Sequence, residues 1–271
     1  MRHVPALLLA ATLTGCLHHH VRPHVGLSAL TASPHTLDSL WTSGMNLYTR
    51  HKWEDAANAF DRLELELPPG DSRALQARLY LGEIYVKTGS NLQAVREYRR
   101  LVDEFPTDSL APEALLRAGN AYFALWRGPD LDPTYGYTAQ SVYTEVLTRY
   151  PNTPAAKQAT IKLKELDDRF ALKDYRAARF YLKLHAYESA AIGYRQLLVD
   201  HGSATIAPQA LSDLIGAYRK LGYADDLREM CDRMQKNWKD TPEARKTDCT
   251  TPVPAPVQPA PRPGTEKLTG H

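Results

Sequence analysis

The chain has 271 residues, 24% of them charged, and its 33 basic residues nearly balance 31 acidic ones, for a formal net charge of +2. Charge of ordinary density and near balance leaves no electrostatic footprint for nucleic acid. The length suits one large domain, two ordinary ones or a repeat array. Beyond the first residues no run approaches 18 consecutive apolar positions, so no transmembrane helix is predicted there.

Arg2 precedes a short apolar stretch, Val4 to Leu13, which runs into Leu13-Thr14-Gly15-Cys16. A positive start, a short apolar region and small residues at the cut make a secretory signal over residues 1–15. An ordinary secretory signal that happens to hold a cysteine is the alternative. The Leu-x-Gly-Cys ending resembles a bacterial lipoprotein signal, which implies that Cys16 becomes the first residue and is acylated. Each buried methylene adds about 0.8 kcal/mol, so several acyl chains on Cys16 would anchor the chain to a membrane.

Residues 16–36 contain His18, His19, His20, His24 and His35. A histidine-rich tract can bind metal. No cysteine or carboxylate stands among them to complete a site, and Pro23 and Pro34 favour extended chain. The expectation is a lipidated, flexible tether without metal. At the other end, residues 241–271 are rich in proline and poor in large apolar side chains, and are expected to be a disordered tail. Cys231 and Cys249 remain once Cys16 carries lipid; they can pair, or Cys231 can pack as a small apolar residue while Cys249 stays free.

The body repeats. Gly44, Leu47, Ala56, Phe60, Leu63 and Pro68 form one set; Gly82, Tyr85, Ala94, Tyr98, Leu101 and Pro106 form a second with the same spacings. Gly119, Tyr122, Ala139, Tyr143, Val146 and Pro151 form a third after an insertion of eight residues, and Ala178, Tyr181, Ala190, Tyr194 and Leu197 a fourth. The small residue of the first helix lets its partner come close, the alanine of the second is expected at the crossing, and the aromatic residues fill the groove between repeats. This is the tetratricopeptide pattern of 34-residue helix pairs. The predicted pairs are Leu37–Arg50 with Trp53–Leu67, Arg73–Lys87 with Asn91–Phe105, Pro112–Trp126 with Tyr137–Tyr150, Pro154–Leu184 with Tyr187–Asp200, and Pro208–Leu221 with Ala224–Trp238. The helix from Pro154 either runs unbroken or breaks near Leu172. The fold class is therefore all-α, a right-handed solenoid of about five tetratricopeptide-like pairs, divided into N-terminal repeats (37–151) and C-terminal repeats (152–240). Such solenoids bind extended or helical peptides.

Catalytic signatures are missing from the sequence: it has no G-x-S-x-G, P-loop, G-x-G-x-x-G, H-E-x-x-H or C-x-x-C. Glu64 with Glu66, and Asp167 with Asp168, are too close in sequence to share a helix face and are expected to be solvated. His185 and His201 are expected as loop or capping residues, Asp130 to Pro133 as a polar loop. No catalytic residue, cofactor or metal is predicted, and the protein is not expected to be an enzyme.

The second half carries the most specific local pattern: Tyr150-Pro151-Asn152-Thr153-Pro154, then Asp167-Asp168-Arg169-Phe170-Ala171, Ala177 to Lys183, Ala186 to Ile192, and Ala210-Leu211 with Ala217-Tyr218 and Leu221-Gly222. Together with the lipoprotein signal, residues 37–240 resemble the BamD family of outer-membrane protein assembly factors. The third-repeat loop departs from that family: Asp132 to Tyr137 stands where an Arg-Asp-Gln-like run is usual, which puts the family's contacts there in doubt. The resemblance implies a scaffold on the periplasmic face of the outer membrane, held by its lipid. It implies docking of a BamA-like barrel protein on the C-terminal repeats, contacts with other assembly-complex subunits, and recognition of unfolded outer-membrane proteins by the N-terminal repeats, with no nucleic acid. Leu17 is not the aspartate of inner-membrane retention, in keeping with the outer membrane. Arg219, Lys220, Arg228 and Arg233 give the last pair a candidate charged rim for partner binding. A different periplasmic tetratricopeptide lipoprotein, a YbgF/CpoB-like coordinator of envelope assembly or division, is the alternative.

Overall fold

The computed structural model describes residues 34–253. The signal, Cys16, the histidine tract and the chain beyond residue 253 lie outside them. Ten helices form five successive pairs: α1 (Pro34–Thr49) with α2 (Trp53–Glu66), α3 (Ser72–Lys87) with α4 (Asn91–Glu104), α5 (Ala111–Leu125) with α6 (Thr134–Arg149), α7 (Pro154–Lys183) with α8 (Tyr187–Asp200), and α9 (Ala207–Leu221) with α10 (Ala224–Trp238). A short helix, α11 (Pro242–Lys246), follows, and no strand occurs among the described residues. Each helix of the pairs packs on the next in sequence, as in a helical repeat solenoid. None of the described helices is long and apolar enough to cross a membrane.

Local chemistry sets the boundaries. The Asp71 carboxylate accepts from the Arg73 amide at 2.9 Å and caps α3, and Thr153 Oγ1 accepts from the Ala156 amide at 3.1 Å and caps α7. Proline stands in the first turn of α5, α7 and α9, where its missing N–H costs nothing. Four of the turns inside pairs place one residue in the left-handed region: His51 (φ 58), Gly89 (φ 79), His185 (φ 59) and Gly222 (φ 77).

The repeat register holds, with one correction to its physical account. Ala56, Ala94, Ala139 and Ala190 are all fully buried. The small residue of the first helix, however, makes room for the aromatic ring of the second helix rather than for its alanine. A methyl group added at Gly82 would lie 2.3 Å from the Tyr98 ring, at Gly119 2.6 Å from Tyr143, and at Gly44 2.9 Å from Phe60. In the fourth pair the exchange is inverted: Ala178 lies on the first helix and faces Gly193, which precedes Tyr194.

The helix from Pro154 is unbroken over 30 residues, about 45 Å at 1.5 Å per residue. Two core clusters divide along it: one ends at Leu166 and Phe170, the next begins at Tyr175. Its middle is fastened on both sides. Arg169 Nη1 donates to the Trp126 carbonyl at 2.7 Å, while Asp167 meets His201 Nδ1 at 2.5 Å and Asp168 accepts from the Thr205 amide at 2.6 Å. The two aspartates expected in solvent thus tie α7 to the α8–α9 connection, and His201 is the residue that ends α8.

Glu64 is likewise not a solvated charge. It accepts from Arg78 Nε at 2.9 Å, and Arg78 is 7% exposed. Glu97 of α4 stands beside this pair and is half-buried. Burial raises the pKa of Asp61, Glu64 and Glu97 against the pull of nearby arginines. The Glu97 Oε2 atom has only the Arg100 guanidinium, 3.6 Å away.

Residues 241–253, assigned by composition to a disordered tail, form a strap on the last pair instead. The physical reason is a set of anchors that composition does not show. Ala244 of α11 is buried, the Thr247 and Ser212 hydroxyls share a hydrogen bond at 2.8 Å, and Cys249 is joined to Cys231 by a disulfide with Cα atoms 5.9 Å apart. Of the two possibilities left open for these cysteines, the structure has them paired.

Candidate partner-binding surfaces

Three surface regions combine polar groups with exposed apolar area. The first is a groove across α1, α3 and α5, a cavity of about 410 Å³ lined by Tyr48, Val86, Lys87, Tyr98, Arg117 and Asn120, among others. Its floor is polar and internally matched. The Tyr48 hydroxyl donates to Glu83 at 2.5 Å, and burial together with that carboxylate pushes the Tyr48 pKa up to about 12. Arg117 binds Glu83 and, at 2.7 Å, Glu113. Desolvation disfavours its charge, but those two carboxylates outweigh it and raise its pKa. Asn120, also in the lining, accepts from the Tyr143 hydroxyl at 2.8 Å and keeps its amide N–H groups as donors. Amide, lysine and apolar groups spread over three helices suit the backbone and side chains of an extended peptide.

The second region is apolar and lies on α7 and α8. Phe180, Leu184 and Ile192 are about 60% exposed (58, 60 and 60%), Tyr181 44% and Val199 76%. A cavity of about 440 Å³ sits among Ala177, Ala178, Tyr181, Ile192 and Gly193. Tyr181 and Ile192 line it together and Phe180 packs on Tyr181, and exposed apolar side chains that share a concave surface mark a site of protein or membrane contact. The sequence carried the signal. Ile192 and Val199 are seven residues apart, on the side of α8 away from buried Ala190, Tyr194 and Leu197, where polar residues belong.

The third region is the end of the solenoid, where a charged rim is predicted. The structure does not gather its four cations. Arg219 turns to the strap: Nη1 donates to the Thr251 carbonyl at 2.8 Å, and Nη2 also bonds the Asp248 carbonyl. Arg233 donates to the Leu198 carbonyl at 3.1 Å and lies over the Trp238 ring. Arg228 is exposed beside Asp225 at 3.2 Å, and Lys220 is exposed with no acidic partner among the described residues. Arg219 therefore ties α9 to the strap and Arg233 ties α10 to α8, and of the four cations Arg228 and Lys220 stand exposed. Cys16 lies outside the described residues.

The chain is similar to known proteins over most of its length. The family model described as "YfiO: Outer membrane lipoprotein" matches residues 34–243. The outer membrane protein assembly factor BamD of Caulobacter vibrioides is 25% identical over 227 residues, covering 83% of this chain and 72% of the relative. That of Xylella fastidiosa (strain 9a5c) is 27% identical over 256 residues, covering 89% and 84%. The BamD protein of Rickettsia prowazekii is 21% identical over 203 residues, covering 75% and 80%. With its helical repeats and a family match that begins with the first described helix and ends in α11, the chain belongs to the YfiO/BamD family of outer-membrane assembly factors.

Proposed function

We propose that this protein is a lipid-anchored scaffold of the outer-membrane β-barrel assembly complex, which docks a BamA-like barrel protein through its C-terminal repeats and holds unfolded outer-membrane proteins along its N-terminal groove. The exposed apolar surface of Phe180, Tyr181, Leu184, Ile192 and Val199 is the observation that carries this reading, because a water-facing cluster of that kind needs a cover. The groove across α1, α3 and α5 supports the second role, since its donors reach a chain with no fixed fold of its own. Lys220 and Arg228 would tune association rate and salt dependence at the rim.

Affinity purification from detergent-solubilised envelope tests the docking. Ile192→Glu with Val199→Glu should lower co-purified barrel protein by about tenfold or more, because two charges would be buried unpaired. Wild-type yield from that variant overturns the assignment. For the anchor, Cys16→Ser should leave the outer-membrane fraction in high-salt washes. In the groove, Lys87→Glu should reduce cross-linking to a client peptide while leaving the barrel protein bound.

A further inference from the structure

A separate groove lies between α7 and α9, a cavity of about 740 Å³. Leu172, Leu182 and Ile206 line it and pack against the C-terminal core. Along one wall α7 sets Arg176, Arg179 and Lys183 at spacings of three and four residues, so the three cations share one helix face. Arg176 is paired with Asp130 of the insertion loop. Arg179 lies 5.9 Å from the Tyr175 ring centroid, and neither it nor Lys183 has a carboxylate partner among the described residues. On the opposite wall Asp213 is already occupied. It accepts from the hydroxyls of Tyr175 at 2.9 Å and Tyr194 at 3.1 Å, and from Gln209 at 2.8 Å.

A bonded acid on one wall, two unneutralised cations on the other and apolar side chains between them call for an occupant with negative charge and apolar flanks. We propose that this groove is a docking site for an acidic segment of another protein, distinct from both the barrel partner and the clients. The wall from Leu172 to Lys183 is about 16 Å long at 1.5 Å per residue, the reach of about five residues in extended conformation. Arg179 and Lys183 supply charge to the segment's carboxylates, and Leu172, Leu182 and Ile206 receive its apolar residues.

The probe is a fluorescein-labelled, end-blocked pentapeptide, Leu-Glu-Asp-Leu-Glu, titrated by anisotropy into the full-length chain in mild detergent. Binding should weaken with rising salt, and Arg179→Glu with Lys183→Glu should weaken it by about tenfold or more, whereas Lys157→Glu, exposed at the other end of α7 and away from the groove, should change it less than about twofold. Should the double reversal fail to fold, Arg179→Gln with Lys183→Gln gives the same reading with a smaller loss. Equal binding of the Gln/Asn version of the peptide overturns the proposal, as does unchanged binding by the double variant. Vesicles containing phosphatidylglycerol that bind through these two residues while the peptide does not would assign the groove to lipid and overturn it too. Barrel protein should still co-purify with the double variant at wild-type yield. Its loss there would make the groove part of the barrel-protein interface and overturn a separate partner.

Discussion

The N-terminal and C-terminal repeats solve one packing problem in two ways. In the first three pairs a glycine on the first helix receives the aromatic ring of the second, so the fit is one of volume. In the fourth pair the small residue has moved beside the ring, to Gly193, and Tyr194 with Tyr175 is fixed by its hydroxyl on Asp213. The last pair adds a covalent strap. Repeats that look alike in sequence thus share a fit of shape, joined in the third pair by the bond from the Tyr143 hydroxyl to Asn120 and in the fourth by those to Asp213, and the covalent bond is confined to the C-terminal end. The two ends are expected to fail under different insults.

The largest separation between them comes from the disulfide. Replacing both Cys231 and Cys249 by serine should cost about 3 kcal/mol, the value expected for a closed loop of this size. Hydrogen exchange should locate the loss in α9, α10 and α11, with amides of α1 to α5 unchanged. Equal loss at both ends would mean that the solenoid unfolds as a single unit. Next, Gly119→Ala should cost about 2 kcal/mol by urea denaturation, because its methyl group would meet the Tyr143 ring, while Ala178→Gly should cost about 1 kcal/mol, the helix penalty of glycine. The reverse order would contradict the fit of ring to glycine in the first three pairs.

Acidity sharpens the same comparison. Asp61, Glu64 and Glu97 have pKa values raised chiefly by burial. At these three sites on α2 and α4 the folded protein binds protons more tightly than the unfolded chain, so their contribution to stability should rise as pH falls from neutrality toward the ordinary carboxylate range, whereas Asp71, Asp132 and Glu145 in the same half are shifted downward by their hydrogen bonds and contribute in the opposite sense. In the C-terminal half Asp174 alone is raised, also by burial. Asp248 is shifted the other way, since Thr251 and Thr250 bond its carboxylate, so its support of the strap is present above its ordinary value of 3.8 and lost as pH falls below it. Proteolysis across pH 7.5 to 3 should show α2 and α4 gaining protection first and the strap loosening last. The smallest effect expected is a gain. His185→Gly should stabilise the fourth pair by about 0.5 kcal/mol, because the left-handed backbone strains histidine more than the freedom of glycine costs. His51→Gly should gain less, since His51 stacks on Trp53 at 4.9 Å.

Helix order and repeat register were legible because glycine, alanine and tyrosine recur at fixed spacings, and each spacing answers to a contact. The burial of Glu97 was also legible. It stands three residues after Ala94 and four before Leu101, inside the stripe that those residues share with Tyr98. The strap was not, because its anchors join side chains 18 to 35 residues apart and none has a local pattern. The predicted rim failed for a related reason. Charge on a helix says nothing of which carbonyls another segment will bring to it, and Arg219 and Arg233 found such carbonyls within the chain. The exposed apolar residues of α8 were partly visible, because Ile192 and Val199 stand at positions where a solvated helix would carry polar ones.

The unbroken α7 has a mechanical consequence. Its N-terminal part belongs to one core, its C-terminal part to the other, and its middle is pinned to the neighbouring helices, so it acts as a beam on a central support. A tilt of about 5° about its clamped middle swings each end by about 2 Å over a half-length of about 22 Å. A load placed on one set of repeats is then transmitted as leverage to the other, without any residue in between having to melt.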